Sequence, residues 1–415
     1  MARVSLGSAW GKGNIVHTVE GRPIPELPDL ARMHRERSDR IQEQLHAQGL
    51  AGLVLLGTSA VSYATGAAQP GADSARAGLF RPVAVVVTGE PAPHLFTPYP
   101  EGAPGDLPPD HVHPPAFPDL DEGAAALATA VSELIPRGRI GIDELPHPLR
   151  AALAHRDVVS AGSVMVPVKL RKTADELACI RIAQRCNELA MCDVMPLLRP
   201  GVRQSTLTAT FLDRLHELGD VSNGIDPIWQ PMPASVAAGP WTTHGDIAFP
   251  TGSTGEVLRS GDVIWCDTGI HYEGYASDFG RTWLVGAEPT ARQRAQYERW
   301  QDVTDAVLAL CKPGVTALDL DRGAIAANGG TKPWIEHFYL SHAVGTDSAE
   351  MPLIGTDLGE TFDEQQVLAP GMILVLEPVI WEDGYGGYRA EDIYAVTDDG
   401  WVSLSDFPYD PFARS

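Results

Sequence analysis

Apolar and polar residues follow two patterns along the first 165 residues, some with helical spacing and others as short apolar blocks. The patterns predict helices at 33–49, 122–136 and 149–155 and strands at 51–57, 81–89 and 139–143. The stretch 90–118 is rich in Pro and Gly and is predicted to be surface loop, and residues 1–26 to be a loose lead-in. Strands that alternate with helices predict an α/β domain over residues 1–165.

A long helix is predicted at the start of a second domain, residues 166–415. Thr173 and Glu176 have the spacing of a capping box, in which each side chain bonds the other's backbone at a helix start. Arg-Pro-Gly-Val at 199–202 ends this helical pattern, and Lys-Pro-Gly-Val at 312–315 ends a second one. The recurrence predicts that this domain consists of two related halves with a site between them.

Two predicted hairpins in the second domain carry paired acids. Segment 263–286 reads as two strands around a Gly-containing turn, with Asp267 and Asp278 on opposite sides of it. If these residues face each other, the turn centres between Tyr272 and Glu273, and the two Cβ atoms lie about 5 Å apart. Two carboxylates that close repel unless one is protonated or a cation lies between them.

Glu377 and Glu391 repeat this arrangement around a turn centred on Gly384. Each lies in a strongly apolar strand, where an unpaired carboxylate is costly to bury. Arg281 and Arg389 can supply part of the positive charge, and exposure to solvent or pairing with arginine is the alternative for any single acid. For all four acids together, a bound cation is the favoured interpretation.

His342 lies in the aromatic-rich run 337–345, which reads as a strand. Oxygen ligands with one imidazole suit Mn, Fe, Co or Zn rather than Ca or Mg. Bridging carboxylates can hold two ions side by side. We therefore predict two divalent metal ions, Mn first among the choices, at one set of ligands. This set is Asp267, Asp278, His342, Glu377 and Glu391.

Composition limits the class of protein. Of 415 residues, 44% are hydrophobic and 20% charged, and the net charge is −23. So acidic a chain lacks the basic footprint that nucleic-acid binding needs. No run of about 20 apolar residues predicts a membrane span, and the first residues lack the apolar stretch of a signal peptide. Five cysteines, read as buried thiols, fit a cytoplasmic enzyme that binds neither nucleic acid nor membrane.

The residues around the predicted ligands resemble those of the pita-bread family, which includes Xaa-Pro aminopeptidases, methionine aminopeptidases, prolidases and creatinase. The shared features are Gly-Tyr-x-Ser-Asp ending at Asp278, His-x-x-Gly from His342, Glu377-Pro378, and Gly-Gly-Tyr-Arg-x-Glu ending at Glu391. The resemblance implies an α/β N-terminal domain of the creatinase or prolidase type. The α+β pita-bread domain would follow, with pseudo-twofold halves and a curved antiparallel sheet flanked by helices. The resemblance also implies the five-residue dimetal set, a small substrate such as a dipeptide, and a homodimer.

The same resemblance assigns catalytic roles. Glu377 would be both a ligand and a proton shuttle, and His244 would hydrogen-bond the developing oxyanion or the leaving group. The chain departs from the peptidase pattern at two positions near His342. Phe338 and Ala349 stand where those peptidases have histidines that contact the substrate.

The leading prediction is a dinuclear-metal hydrolase similar to Xaa-Pro aminopeptidase or prolidase. A second prediction is a metal-dependent lyase, because the sequence after His342 and the C-terminal end look similar to the dimethylsulfoniopropionate lyase of this fold. In that case Asp347 would remove an α-proton, although the lyase's own base aligns with Ala349. A third is a binding module that lost its chemistry, against which the five intact ligands argue.

Overall fold

The computed structural model describes residues 18–19, 22–23, 27–68, 80–232, 255–334, 338–407 and 409–412. One compact unit spans Pro28–Glu176, and the other comprises the chain from Leu177 onward together with the described residues before Pro28. The division lies a little beyond the boundary predicted at residues 165 and 166. Strands β1 (Thr18–Val19) and β2 (Arg22–Pro23) form a short antiparallel pair. In the part of the chain that is described, no helix is long and apolar enough to cross a membrane.

The N-terminal unit is built on a six-stranded mixed sheet. Its strands are β3 (Gly52–Leu55), β4 (Val83–Val87), β5 (His94–Phe96), β6 (Val112–His113), β7 (Ile140–Ile142) and β8 (Val158–Ser160). Its helices are α1 (Leu30–Gln48), α2 (Thr58–Thr65), α3 (Asp121–Leu134), α4 (His147–Ala152) and α5 (Gly162–Leu170). The strand order is β6-β5-β4-β3-β7-β8, with β3 antiparallel to β4 and parallel to β7.

Alternate residues of strand β3, near the centre of this sheet, pack on its opposite faces, as the pleat requires. Leu53 and Leu55 pack with α1, α2 and α5 on one face. Val54 and its neighbour Leu56 pack with α3 and α4 on the other face. The N-terminal unit is therefore a sheet covered by helices on both sides, which confirms the predicted α/β class.

The stretch 90–118 is not all loop, contrary to the prediction. Strand β5 pairs antiparallel with β4, and β6 adds an outer strand parallel to β5. The two strands are only three and two residues long. Because strands this short show no alternation of their own, the Pro and Gly residues around them dominate the local pattern.

The C-terminal unit combines helices with antiparallel sheets. Its helices are α6 (Ala174–Val194), which begins at the end of the first unit, α7 (Gln204–Leu218), α8 (Ala291–Leu310), α9 (Ala317–Ala327) and α10 (Glu360–Gln365). Strands of its first half are β9 (Val221–Asn223), β10 (Ile228–Pro231), β11 (Val263–Thr268), β12 (Ile270–Tyr272), β13 (Tyr275–Ala276) and β14 (Phe279–Leu284). Strands of its second half are β15 (Ser341–Ala343), β16 (Glu350–Ile354), β17 (Ile373–Leu376), β18 (Val379–Glu382), β19 (Gly386–Arg389), β20 (Asp392–Val396) and β21 (Trp401–Ser403).

Four sheets form from these strands in the described residues. Two belong to the first half, in the orders β10-β11-β14 and β13-β12-β9. The second half contributes the five-stranded sheet β16-β15-β17-β20-β21 and the pair β18-β19. Helix α6 begins with the predicted capping box, since Thr173 N–H donates to Glu176 Oε2 at 2.7 Å and Glu176 N–H donates to Thr173 Oγ1 at 3.2 Å.

Matching hydrogen bonds support the predicted repeat of two halves. Gly201 N–H donates to Leu258 O and Gly314 N–H donates to Leu368 O, both at 2.9 Å. Both glycines have left-handed backbones, with φ of 91° and 88°. In each pair, the leucine N–H donates at 2.8 Å to the valine that follows the glycine. Each junction is therefore a turn between two helices, and the same pattern of backbone hydrogen bonds connects it to a later segment of the chain.

Candidate metal centre

Glu377 and Glu391 lie on the hairpin that the sequence predicts. Strand β17 pairs with β20 and β18 pairs with β19 in one shared register, in which Leu376 faces Asp392. That register centres on Gly384, as predicted, and sets Glu377 opposite Glu391 where the two strand pairs meet. Both are almost fully buried, with 1% and 0% of each residue exposed.

The first hairpin forms as predicted, but the register of its two strands differs from the predicted one. Asp267 faces Gly280 across the β11–β14 pair. Asp278 therefore lies two positions before the residue that faces Asp267, just ahead of β14. The two aspartates converge diagonally and are not the directly opposed pair that the sequence analysis predicted.

The turn of this hairpin explains the difference. Tyr272 faces Tyr275, so the turn residues are Glu273 and Gly274. Both have positive φ, 49° and 79°. Consecutive residues of positive φ form the two-residue turn whose twist matches that of paired strands, and Gly readily takes one of those positions. The chain therefore folds back one residue later than predicted.

Asn187 on α6 holds the backbone beside both aspartates. Its Nδ2 donates to Thr268 O at 2.8 Å and to Ser277 Oγ at 3.0 Å, and Thr268 Oγ1 donates to Asn187 Oδ1 at 2.8 Å. Thr268 follows Asp267, and Ser277 precedes Asp278. Asn187 was not predicted as a site residue, and its signal in the sequence is a polar amide within an apolar helical run.

The structure brings all five predicted ligands together. The His342 Nε2 atom lies 3.2 Å from Asp278 Oδ2 and 3.4 Å from Glu377 Oε1. One oxygen from each of Asp267, Asp278 and Glu391 lies within 4.8 Å of the other two. Side chains that are far apart in sequence thus present oxygen and nitrogen atoms to one point.

The protonation pattern of His342 suits metal ligation. Its Nδ1 atom lies 3.0 Å from the Ala343 carbonyl oxygen, which can only accept a hydrogen bond. Nδ1 therefore carries the proton, and the lone pair of Nε2 faces the acids. A lone pair that faces carboxylate oxygens is repelled unless a cation or a proton lies between them.

Arg389 supplies the positive charge expected of it, and its guanidinium contacts three of the four carboxylates. These contacts are Glu377 Oε2 at 2.7 Å, Glu391 Oε2 at 2.9 Å and Asp267 Oδ2 at 3.2 Å. Arg281 acts elsewhere. It donates to Asp392 Oδ1 at 2.6 Å and to the backbone carbonyls of Gly280 and Glu391.

One arginine does not balance four carboxylates. Burial, then the charges of Asp267 and Glu377, raises the pKa of Asp278 well above its ordinary value. Burial also raises the pKa of Glu391 well above its ordinary value, although Arg389 opposes the shift. Crowded negative charge away from water is the shared cause, and a divalent cation among these groups would remove it.

Two buried carboxylate oxygens lack a hydrogen-bond donor among the described residues. They are Oδ1 of Asp267 and Oε1 of Glu391. A buried polar atom of this kind is costly unless a ligand satisfies it. Oxygen atoms with one imidazole nitrogen are also the donor set that Mn, Fe, Co and Zn prefer. The residues of this centre therefore fit divalent metal ions.

Gly280 makes room for one of these carboxylates. A Cβ atom at this position would lie 2.5 Å from Glu391 Oε1 and 2.7 Å from its Cδ. The backbones also meet here, since Glu391 N–H donates to Gly280 O at 3.0 Å. Gly280 could not be singled out from the local sequence, because a glycine is needed here only to make room for a residue on the other hairpin.

A cavity of about 380 Å³ opens on the acids. Its acidic part includes Asp267, Asp278 and Glu377, and its apolar wall includes Ile225, Ile228, Phe338, Tyr339 and Ala349. Phe338 stacks on Tyr339 with ring centres 3.9 Å apart, and Tyr339 meets the His342 ring edge-on at 5.1 Å. A charged floor with an apolar wall suits a small polar substrate with an apolar side chain.

Asp347, a further predicted site residue, is not among the residues that line the cavity. Asp347 is exposed in the loop after β15, and its N–H donates to Glu350 Oε1 at 3.1 Å. That loop places Ser348 and Ala349 in the cavity lining. The role of Asp347 as a base stays a prediction. His244 lies outside the described residues, so its role stays a prediction as well.

Comparison with known proteins agrees with this architecture. Residues 178–398 match the model of metallopeptidase family M24, and residues 37–170 match the creatinase/prolidase N-terminal domain. The chain is 31% identical over 294 residues to a protein named probable dipeptidase PepE from Mycobacterium bovis, which covers 69% of this chain and 70% of the relative. It is 30% identical over 239 residues to the Xaa-Pro dipeptidase of Lactobacillus delbrueckii subsp. lactis, 56% of this chain and 59% of that protein.

Solved structures show the same fold. The prolidase from Thermococcus sibiricus superposes with a TM-score of 0.73 at 20% identity, over 90% of this chain and 97% of that one. Dipeptidase PepE from Mycobacterium ulcerans superposes with a TM-score of 0.70 at 24% identity, over 92% and 98%. These structures confirm the predicted pita-bread fold. The lyase alternative gains no support from these comparisons.

Family models thus match both units, and the matched C-terminal range contains the five clustered candidate ligands and the cavity they face. The chain belongs to metallopeptidase family M24 and is a metal-dependent hydrolase.

Proposed function

We propose that this protein is a dinuclear-metal dipeptidase that hydrolyses short peptides, including Xaa-Pro dipeptides. The observation that carries the proposal is the buried convergence of His342 with four carboxylates, two of whose oxygens lack donors among the described residues. The relatives named above suggest the substrate class, since they are a probable dipeptidase and an Xaa-Pro dipeptidase.

The five ligands would hold two divalent ions, with Mn the first choice among Mn, Fe, Co and Zn. When bound, such ions activate water and polarise a carbonyl group. Glu377 faces both His342 and Arg389, at 3.4 Å and 2.7 Å. In this position it would take a proton from the attacking water and return it to the leaving amine.

The cavity wall supports a small substrate with an apolar group. Phe338 and Ala349 line it where related peptidases are expected to have histidines, so these positions offer apolar contact and no proton. His244 is the remaining histidine that we propose for the developing oxyanion or the leaving group. A homodimer and a cytoplasmic location stay predictions.

A substrate panel tests the proposal. The purified chain with added Mn²⁺ should release free amino acids from Ala-Pro, Leu-Pro or non-prolyl dipeptides. Glu377→Gln should lower kcat by at least about 100-fold, the usual contribution of a positioned acid–base group. Glu382→Gln changes a half-buried glutamate of the same hairpin, which pairs with Arg292 at 2.8 Å, and should keep the activity.

The panel also separates the alternatives. Acrylate release from dimethylsulfoniopropionate, without hydrolysis of any dipeptide, would replace the proposal with the lyase. Turnover that survives Glu377→Gln would contradict the role given to that residue.

A further inference from the structure

Three histidines lie together at the edge of the N-terminal sheet. His94 is on β5, His113 is on the outer strand β6, and His111 immediately precedes β6. The rings of His94 and His111 stack with centres 4.0 Å apart and planes inclined by 13°. The His113 ring stacks on Phe96 at 4.6 Å. The parallel pairing of β5 with β6 thus aligns the imidazoles on one face of the sheet.

Glu90 completes this group, which we call the edge histidine cluster: Glu90, His94, His111 and His113. Its Oε2 atom lies 3.2 Å from Nε2 of His94. One donor atom from each of Glu90, His94 and His111 lies within 4.8 Å of the other two. Glu90 is held in place through its backbone, since its carbonyl accepts from Gln42 Nε2 at 2.8 Å.

Hydrogen bonds to the rings decide which nitrogens are available. Nδ1 of His111 lies 3.2 Å from the Pro93 carbonyl oxygen, which only accepts. Nδ1 therefore carries the proton, and Nε2 keeps its lone pair. Nδ1 of His94 lies 3.0 Å from Nε2 of His113. The Glu90 carboxylate only accepts, so Nε2 of His94 carries its proton and donates to Glu90, while Nδ1 accepts from His113. A metal ion at Nε2 would require the other tautomer, with the proton on Nδ1 toward His113.

The surroundings of the cluster disfavour protonation of two of its imidazole rings. Burial, and then the neighbouring histidines, lowers the pKa of both His94 and His113.

We propose that Glu90, His94 and His111 form a mononuclear site for a borderline transition-metal ion such as Zn²⁺, with His113 as a positioning residue that orients His94. Two imidazoles and one carboxylate are a common ligand set for this class of ion. The Glu90 side chain is 43% exposed, so water can reach the site and complete the coordination. A bound ion would join the turn after β4 to β5 and to the start of β6, and so stabilise the sheet edge.

Zinc counting in the full-length chain tests this site apart from the catalytic centre. The background is Asp267→Asn with Glu391→Gln, which disables the centre in the C-terminal unit. After chelation, dialysis against Zn²⁺ and removal of the excess, elemental analysis should find one tightly bound Zn²⁺ per chain. His111→Ala in the same background should lose it. His155→Ala, an exposed histidine of the same unit, should keep it.

A second comparison serves if the double variant fails to fold. His111→Ala alone should lower the zinc content of the otherwise unaltered chain by one ion, leave dipeptidase activity unchanged, and reduce the gain in Tm on adding Zn²⁺. No bound Zn²⁺ in the double variant, or equal zinc content with and without His111, overturns the proposal.

Discussion

At the scale of single residues, the predicted metal centre depends on a glycine, which has no side chain. Gly280 leaves the space that the Glu391 carboxylate fills, and a methyl group there would lie 2.5 Å from the carboxylate oxygen. Glu391 cannot retreat easily, because it is fully buried and its backbone is bonded to Gly280. The geometry of the ligand set is therefore sensitive to the smallest possible substitution at this position.

We predict that Gly280→Ala displaces the Glu391 carboxylate. Overpacking of this kind typically costs about 1–3 kcal/mol of unfolding free energy. Metal affinity and peptidase activity should also fall, because the displaced carboxylate belongs to a predicted metal ligand. Chemical denaturation and metal titration measure the two effects separately.

The matched control for this substitution is Gly400→Ala, since nothing lies within 4 Å of a Cβ atom at Gly400. It should change neither stability nor metal affinity appreciably. Unaltered metal affinity in Gly280→Ala would show that the Glu391 carboxylate does not need this space.

At the scale of elements, sequence patterns predict each element well where one local signal decides it. The capping box at Thr173 and Glu176 and the turn centred on Gly384 both appear as predicted. The register of the first hairpin does not, because Glu273 takes a positive φ that its residue type rarely adopts. Because the turn is centred one residue later than predicted, each residue of β11 pairs with a residue of β14 two positions further along the chain.

Helix α10 offers a prediction on pH. Asp363 lies on this helix, is buried, and accepts from Gly355 N–H at 3.3 Å. Burial raises its pKa to about 6, with a smaller contribution from Asp321, while Lys332 opposes the shift. Because the pKa is higher in the folded chain, this group contributes stability below about pH 4 that is lost as pH rises through about 6.

We therefore predict that Asp363→Asn stabilises the protein relative to the unaltered chain as pH rises from 4 to 7. The shift from 3.8 to about 6 corresponds to at most about 3 kcal/mol. Urea denaturation at both pH values measures the difference. Asp357→Asn, at an exposed position, is the control and should show a much smaller trend. Parallel pH profiles for Asp363→Asn and the unaltered chain would refute this account.

At the scale of the whole molecule, the sequence predicted an α/β unit followed by a pita-bread unit, and it singled out five residues that the structure brings together. Acids in apolar strands are rare enough to mark a candidate site. The partners that position them could not be read in this way. Asn187, Gly280 and the three contacts of Arg389 depend on which strand and helix meet in space, which no local pattern encodes.

The short strands β5 and β6 were not predicted from the sequence for the same reason. Strands β5 and β6 exist because β4 offers a sheet edge to pair with, although their own sequence reads as loop. The edge histidine cluster was missed with them. Its members are spread over residues 90–113, and only strand pairing brings them to one face.

The most direct test of the central claim is a count of metal ions set against activity. The chain is stripped with chelator, dialysed against Mn²⁺, and assayed for metal content and dipeptide hydrolysis beside Asp267→Asn. Mn²⁺ is chosen because it binds histidine sites such as the edge cluster most weakly among these ions. We predict two Mn²⁺ per chain with activity restored, and loss of both in the variant. Activity that persists in the stripped chain, with metal content near zero, would contradict the account.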